Sequence, residues 1–331
     1  MINIIKKNFN INLIEVNTEW LKITLLNHGA RIYSLSIPDI DNNLENVVLT
    51  FKDLDDYLGE NHHLNATIGP TSGRIENAEF KINETTYRLD KNDNDNNLHG
   101  GEAALSKVKF DYDIEKLEGK TIIKFTTTKI ENMYPGIQKY KITYTITSHE
   151  VKIDYCATTT KLTLVNLTNH TYFNLSGDLK RDILDQEIML NASNRLELDH
   201  VFIPIYKKDI MNTPYDFRKM HSIKGDDIIE LDNPYLLDEI NSKIIQASLY
   251  DNISKRRLDV YTTYSTIVCY TQNFPIYNQY VHGIHQEKHM GVCFEAQNHP
   301  NGINMEGYES SILKPNEKYQ HQTRFVFSID E

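Results

Sequence analysis

Three stretches of the sequence carry side chains suited to moving protons. "NNLHGGE" holds His99, "LVNLTNHTYFNLSG" (residues 164–177) holds His170, and "GVCFEAQNHPNG" holds Glu295. Imidazole and carboxyl groups titrate ordinarily near about 6.5 and 4.3, so a pair of them can give and take a proton around neutrality. Each residue also has a plainer reading. A lone histidine is more often a hydrogen-bonded core residue. His99 beside Gly100 and Gly101 reads as a tight turn with a surface ring. Glu295 could be the point where an apolar strand emerges into water. The surroundings of His170 count against the plain reading. As a strand, residues 164–177 put Asn166, Thr168, His170, Tyr172 and Asn174 on one face, and Val165, Leu167, Asn169, Thr171, Phe173 and Leu175 on the other. A core does not usually line five polar groups on one strand face without something to bond. Glu295 follows Val292, Cys293 and Phe294, and desolvation there would raise its pKa toward that of a usable base. Asp232 in "LDNPYLLD" and Arg74 in "SGRIENAEF" are weaker candidates. The first reads as a turn former before proline, the second as a solvated charge whose fork suits paired hydroxyls.

Strands must position these groups. Tyr occurs 20 times, and Ile, Thr and Val recur in short alternating runs. Candidate strands are "NINLIEVN", "WLKITLLNH", "AEFKINETTYRL", "TIIKFTTTKI", "QKYKITYTITS", "EVKIDYCATTT", "RLDVYTTYSTIVCYT" and "YQHQTRFVFSI", with a first strand in "MINIIKKNFNINLIEV". Asn, Asp and Gly clusters such as "KNDNDNN" punctuate them. Short helices are expected only in "FKDLDDYLGEN" and around residues 240–249. With no regular alternation of strand and helix, no internal repeat and no Pro-, Gly- or Ser-rich linker, the expectation is all-β: one large antiparallel β-sandwich domain over residues 1–331.

Composition narrows the partners. The chain has 331 residues, 40% hydrophobic and 24% charged, which allows a sizeable core. A net charge of -11 argues against nucleic acid and anionic membrane surfaces. Cys156, Cys269 and Cys293 are widely spaced in apolar segments and read as buried free thiols of a reducing compartment. With no signal-peptide h-region and no membrane-length apolar run, a cytoplasmic location is expected. No P-loop, GxGxxG after a strand, HExxH or GxSxG is present, and no cluster has metal-ligand spacing. The residues alone suggest a β protein for a polyhydroxylated ligand such as a sugar, without fixing the reaction.

Taken in order, these segments resemble the aldose 1-epimerase (galactose mutarotase) family. The similarity runs from "NHGARIYSLSIPD" and "NVVLTFKDLDDY" through "TIGPTSGRIENAEFKINETTYRL", "NNLHGG" and "NLTNHTYFNLSG". It continues in "LDHVFIPI", "TPYDFR" and "LDNPYLLD" to "VCFEAQNHPNGIN" and "SSILKPNEKYQHQTRF". The resemblance implies a galactose mutarotase-like β-sandwich with an open sugar site on one sheet, acting on free aldoses without metal or cofactor, as a monomer or homodimer. It implies Glu295 as general base, His170 as general acid and His99 as a second histidine near the sugar ring. Arg74 and Asp232 would be hydroxyl contacts, with Tyr172 and Asn174 on the sugar-binding floor. The chain departs from the family pattern at Pro70, Gly73, Asn233 and Asn301. Gly73 and Asn233 adjoin presumed contacts, so both are expected to bear on sugar preference. A phosphosugar epimerase, a glycosidase using Glu295 with Asp232, and a non-catalytic sugar-binding module are the alternatives.

Overall fold

The structure is a computed structural model that describes residues 1–6, 11–51, 53–59, 63–130, 133–225, 227–276 and 279–330. Alternation of Ile, Val, Tyr and Phe with Thr and Lys produces long antiparallel strands where the sequence predicts them. Lys120–Lys129, Gln138–Ile146, Glu150–Thr159 and Tyr319–Ile329 lie side by side in a nine-stranded sheet. A six-stranded sheet runs, in spatial order, Tyr172–Phe173, Val292–Gln297, Thr266–Tyr270, Asp232–Leu237, Ala192–Leu198 and Pro204–Asp209. Beside them, among the described residues, lie a five-stranded N-terminal sheet and five two-stranded ones. One apolar core joins the three larger sheets, with Ile123, Phe125, Ile142 and Phe325 from the first, Ile267, Val292 and Phe294 from the second, and Ile23, Ile32 and Leu35 from the third. Burying such side chains fully is worth about 1.5–3 kcal/mol each, which holds the layers face to face.

Several expectations change in detail. "MINIIKKNFNINLIEV" contains two strands, Ile2–Lys6 and Asn12–Asn17, with residues 7–10 outside the described set. "AEFKINETTYRL" is a hairpin, and "RLDVYTTYSTIVCYT" is two strands, Arg256–Thr262 and Thr266–Tyr270, belonging to different sheets. "FKDLDDYLGEN" holds a 3-10 turn at Leu54–Leu58, its residues 52, 60 and 61 lying outside the described set. Residues 240–249 are not helical. Ala247–Tyr250 is a strand paired on both sides, and this pairing overrides local preference. Cys269 and Cys293 are buried free thiols, while Cys156 is only partly buried. Among the described residues, no helix is long and apolar enough to cross a membrane.

The most consequential correction concerns residues 164–177. They do not form one strand. Thr163–Leu164, Thr168–Asn169 and Tyr172–Phe173 pair in turn with Ile312–Leu313, Thr67–Ile68 and Val292–Gln297, in three separate sheets. Because the chain changes partner every few residues, the five polar groups do not share one face.

Candidate active site

The six-stranded sheet builds the site by simple alternation. On Val292–Gln297, the side chains of Val292, Phe294 and Ala296 enter the core, while Glu295 and Gln297 line a cavity on the opposite face. Cross-strand pairing extends that face. Glu295 stands opposite Val268, Tyr270 opposite Asp232, and Val268 opposite Pro234, and all of these line the same cavity. Tyr172, opposite Cys293, closes one side. The cavity holds about 420 Å³, and its walls come from residues around Gly73, Asp93, His99 and Phe202.

His170 reaches this floor from the loop before Tyr172. Its amide donates to the carbonyl of Ala66 (2.9 Å), and its carbonyl accepts from the Asn65 amide (3.0 Å). Its ring stacks on Tyr172 with centroids 4.9 Å apart and meets Tyr270 edge-on at 6.3 Å. Nε2 lies 3.4 Å from Oε1 of Glu295, and Nδ1 lies 3.4 Å from the thiol of Cys293. Burial dominates the electrostatics here. It lowers the His170 imidazole to about 4 and raises the Glu295 carboxyl well above its usual range. Repulsion from Asp232 adds to the rise at Glu295, and Arg74 opposes it. The neutral pair and the ion pair therefore contain the same single mobile proton and differ only in which residue carries it.

His99 is delivered by a left-handed turn. His99 itself has φ 55° and Gly100 φ 82°, and a Cβ at residue 100 would stand 2.8 Å from the carbonyl oxygen of Gly69. The backbone of His99 donates to the carbonyl of Gly73 (3.1 Å), and the Gly73 amide donates back to Nδ1 of the ring (3.2 Å). An amide only donates, so Nδ1 must be the unprotonated nitrogen and the ring proton sits on Nε2. The ring faces His170 edge-on at 5.4 Å and His63 edge-on at 4.8 Å. Burial lowers its pKa well below the ordinary value, and the neighbouring His63, His170 and Arg74 push the same way. His99, His170 and Glu295 offer ligand atoms within 4.8 Å of one another, close enough to hold a metal ion. The tautomer does not suit that use: with Nδ1 occupied by the Gly73 amide, the remaining nitrogen of His99 carries a proton. Metal-ligating histidines show the opposite arrangement, donating their second ring N–H outward.

Arg74 and Asp232 occupy the far wall. The Arg74 guanidinium donates to Asp93 (2.6 Å) and lies over the Phe202 ring, 4.9 Å from its centroid. Asp232 is raised to about 6, first by burial, with Arg74 opposing and Asp93 adding to the rise. Of the seven residues singled out in the sequence, Glu295, His170, His99, Arg74, Asp232 and Tyr172 converge on the cavity. Asn174 does not. Its amide donates to the carbonyls of Arg181 (2.7 Å) and Met290 (2.8 Å), and its oxygen accepts from Gln186 (2.7 Å). Asn166 is likewise consumed, pairing with both backbone groups of Asn298. Asn233 lies on the opposite strand face from Asp232 and Pro234 and does not line the cavity as they do. Gly73 does line the cavity, but an added side chain would meet Pro300 at 2.7 Å with φ at 74°. Sequence reasoning missed His63, Asp93, Phe202, Tyr270 and Gln297. Only His63, in "NHHLN", offered a visible signal; Asp93 was hidden in an Asn/Asp run that reads as a turn.

Comparison with known proteins agrees with this architecture. The family model described as aldose 1-epimerase matches residues 12–326. Galactose mutarotase from Sus scrofa is 32% identical over 322 residues, covering 95% of this chain and 93% of that protein. Aldose 1-epimerase from Haemophilus influenzae is 29% identical, covering 94% of each. Galactose 1-epimerase from Lactobacillus acidophilus superposes with a TM-score of 0.87 at 26% identity, over 100% of this chain and 99% of that one. An aldose epimerase homologue from C. elegans, 22% identical, shares the fold with a TM-score of 0.88 over the whole of both chains. The chain belongs to the aldose 1-epimerase family and is an isomerase acting on carbohydrates.

Proposed function

We propose that this site interconverts the α and β anomers of free hexoses, with galactose and glucose as substrates, through the proton pair His170 and Glu295. The observation that carries this reading is their 3.4 Å separation at the floor of the cavity. Ring opening of a hemiacetal needs one proton removed from the C1 hydroxyl and one delivered to the ring oxygen, while the bond from C1 to the ring oxygen breaks. In the charge-separated form of the pair, Glu295 takes the first proton and the His170 imidazolium supplies the second. The aldehyde rotates about C1–C2 and closes on its other face with the two roles reversed, so the pair ends the cycle as it began. Such assistance contributes roughly 10²–10⁴-fold, and holding the sugar in place adds more. His99, its Nε2–H fixed by Gly73, suits donation to a sugar oxygen, and Arg74 and Asp232 suit hydroxyl contacts.

Galactose follows from the relatives named above, whose names specify it. A phosphosugar is a poor fit. The guanidinium lining the cavity is already paired with Asp93, and Asp232 and Glu295 share the space. Arg256 and Arg257 are engaged elsewhere, by Glu45 and Asp259. The test is optical rotation after dissolving α-galactose or α-glucose with the protein. Mutarotation well above the spontaneous rate is expected. No acceleration with either sugar, or release of sugar from a glycoside instead, would overturn the reading.

A further inference from the structure

We infer that the side-chain amide of Gln297 recognises a sugar hydroxyl remote from the anomeric carbon, an assignment that rests on the anomerase reading above. Gln297 is fully buried and lines the cavity, yet among the described residues neither its Nε2 nor its Oε1 has a hydrogen-bond partner. Among the same residues its cross-strand neighbour Thr266 also leaves its hydroxyl unpartnered. Buried amides are normally satisfied, and leaving one unmade is unfavourable, so an orphan of this kind in a native site needs a partner that arrives from outside the chain. Gly73 borders both the cavity and this amide: a Cβ at residue 73 would stand 3.4 Å from Nε2 of Gln297, in van der Waals contact, so glycine keeps a side chain off it.

Position along the strand narrows the choice to two hydroxyls. Gln297 lies two residues beyond Glu295 on the same face, about 6.6 Å away at ~3.3 Å per residue. With C1 held at Glu295, a pyranose directs its C3 and C4 hydroxyls toward the far side of the ring. A donor and an acceptor on one amide suit a hydroxyl, which both gives and accepts. This makes Gln297 a specificity-determining residue separate from the proton pair.

The test measures binding of galactose, 3-deoxygalactose and 4-deoxygalactose by calorimetry, and thermal unfolding without sugar, for wild type and Gln297→Met. Methionine keeps the length and removes both polar atoms. Gln297→Leu serves as a second apolar variant if the first does not fold. Wild type should bind one of the two deoxy sugars about 10-fold more weakly than galactose. Gln297→Met should bind galactose about 10-fold more weakly, no longer distinguish that deoxy sugar from galactose, and match or exceed the wild-type Tm, because the orphan amide is gone. Equal galactose affinity in wild type and variant would overturn the assignment. So would an equal loss on all three sugars, or a lower Tm with binding unchanged, which would mark a buried water as the partner. Wild-type binding without accelerated mutarotation would count against the reaction and leave this readout intact.

Discussion

Nε2 of His170 stands 3.4 Å from Oε1 of Glu295, with the two side chains only 7% and 5% exposed. Removing either one should abolish the relay while leaving the cavity. Glu295→Gln and His170→Asn are each expected to lower turnover by at least about 10²-fold, with sugar affinity changed much less. Since both serve one transfer, the double variant should be little worse than the less active single. Polarimetric initial rates on proteins checked by circular dichroism measure this; near wild-type turnover in folded Glu295→Gln would remove the proposed base.

The pH profile follows from the shifted groups. Activity needs the pair to hold one proton. Below the imidazole value of about 4 a second proton binds and no base remains, so kcat/KM should fall on the acid side near pH 4, well under the ordinary histidine range. Charged and titratable neighbours of the ring are Glu295, His99, His63, Tyr172, Tyr270 and Cys293. Cys293→Ser replaces a weak acceptor at Nδ1 with a stronger one. It should favour the imidazolium and move the acid limb upward. An unmoved limb would show that the thiol does not tune the ring.

Asp93 holds Arg74 at 2.6 Å beside the cavity without lining the proton pair. Asp93→Asn should leave the guanidinium less fixed, raising KM several-fold with kcat little changed. A selective loss of kcat would place Asp93 closer to the chemistry than the structure does.

Asp232 links the site to stability. Its carboxyl titrates near 3.9 when unfolded and is raised to about 6 in the fold, so the folded state favours the protonated form. That contribution is complete below about pH 4 and lost as pH rises through 6. Asp232→Asn should therefore raise Tm relative to wild type at pH 8, by at most about 3 kcal/mol in stability, and much less at pH 4. It should also weaken sugar binding. Equal Tm differences at both pH values would contradict the assigned titration.

Much of the architecture was legible because strand alternation is a local signal. Lys120–Lys129, Gln138–Ile146 and Glu150–Thr159 alternate between buried and accessible positions along almost their whole length. Residues 164–177 misled because their alternation is real in the chain but not in the sheets, where pairing passes to a new partner every few residues. Glu295, His170 and His99 stood out through their motifs. Asp93, Phe202 and Gln297 did not, since their placement depends on how distant loops and strands meet. Nor could the sequence reveal that Asn174 spends its amide on the carbonyls of Arg181 and Met290.

Two-residue periodicity on Val292–Gln297 makes this strand intolerant of insertion. One extra residue between Phe294 and Glu295 would turn the carboxylate into the apolar interior, or swing Phe294 into the cavity, depending on which side absorbs the slip. No single replacement elsewhere on the strand could restore the frame. Length changes among descendants of this chain should therefore collect in the connecting loops, such as residues 91–97 and 199–203, where the cavity wall can be reshaped without disturbing the proton pair.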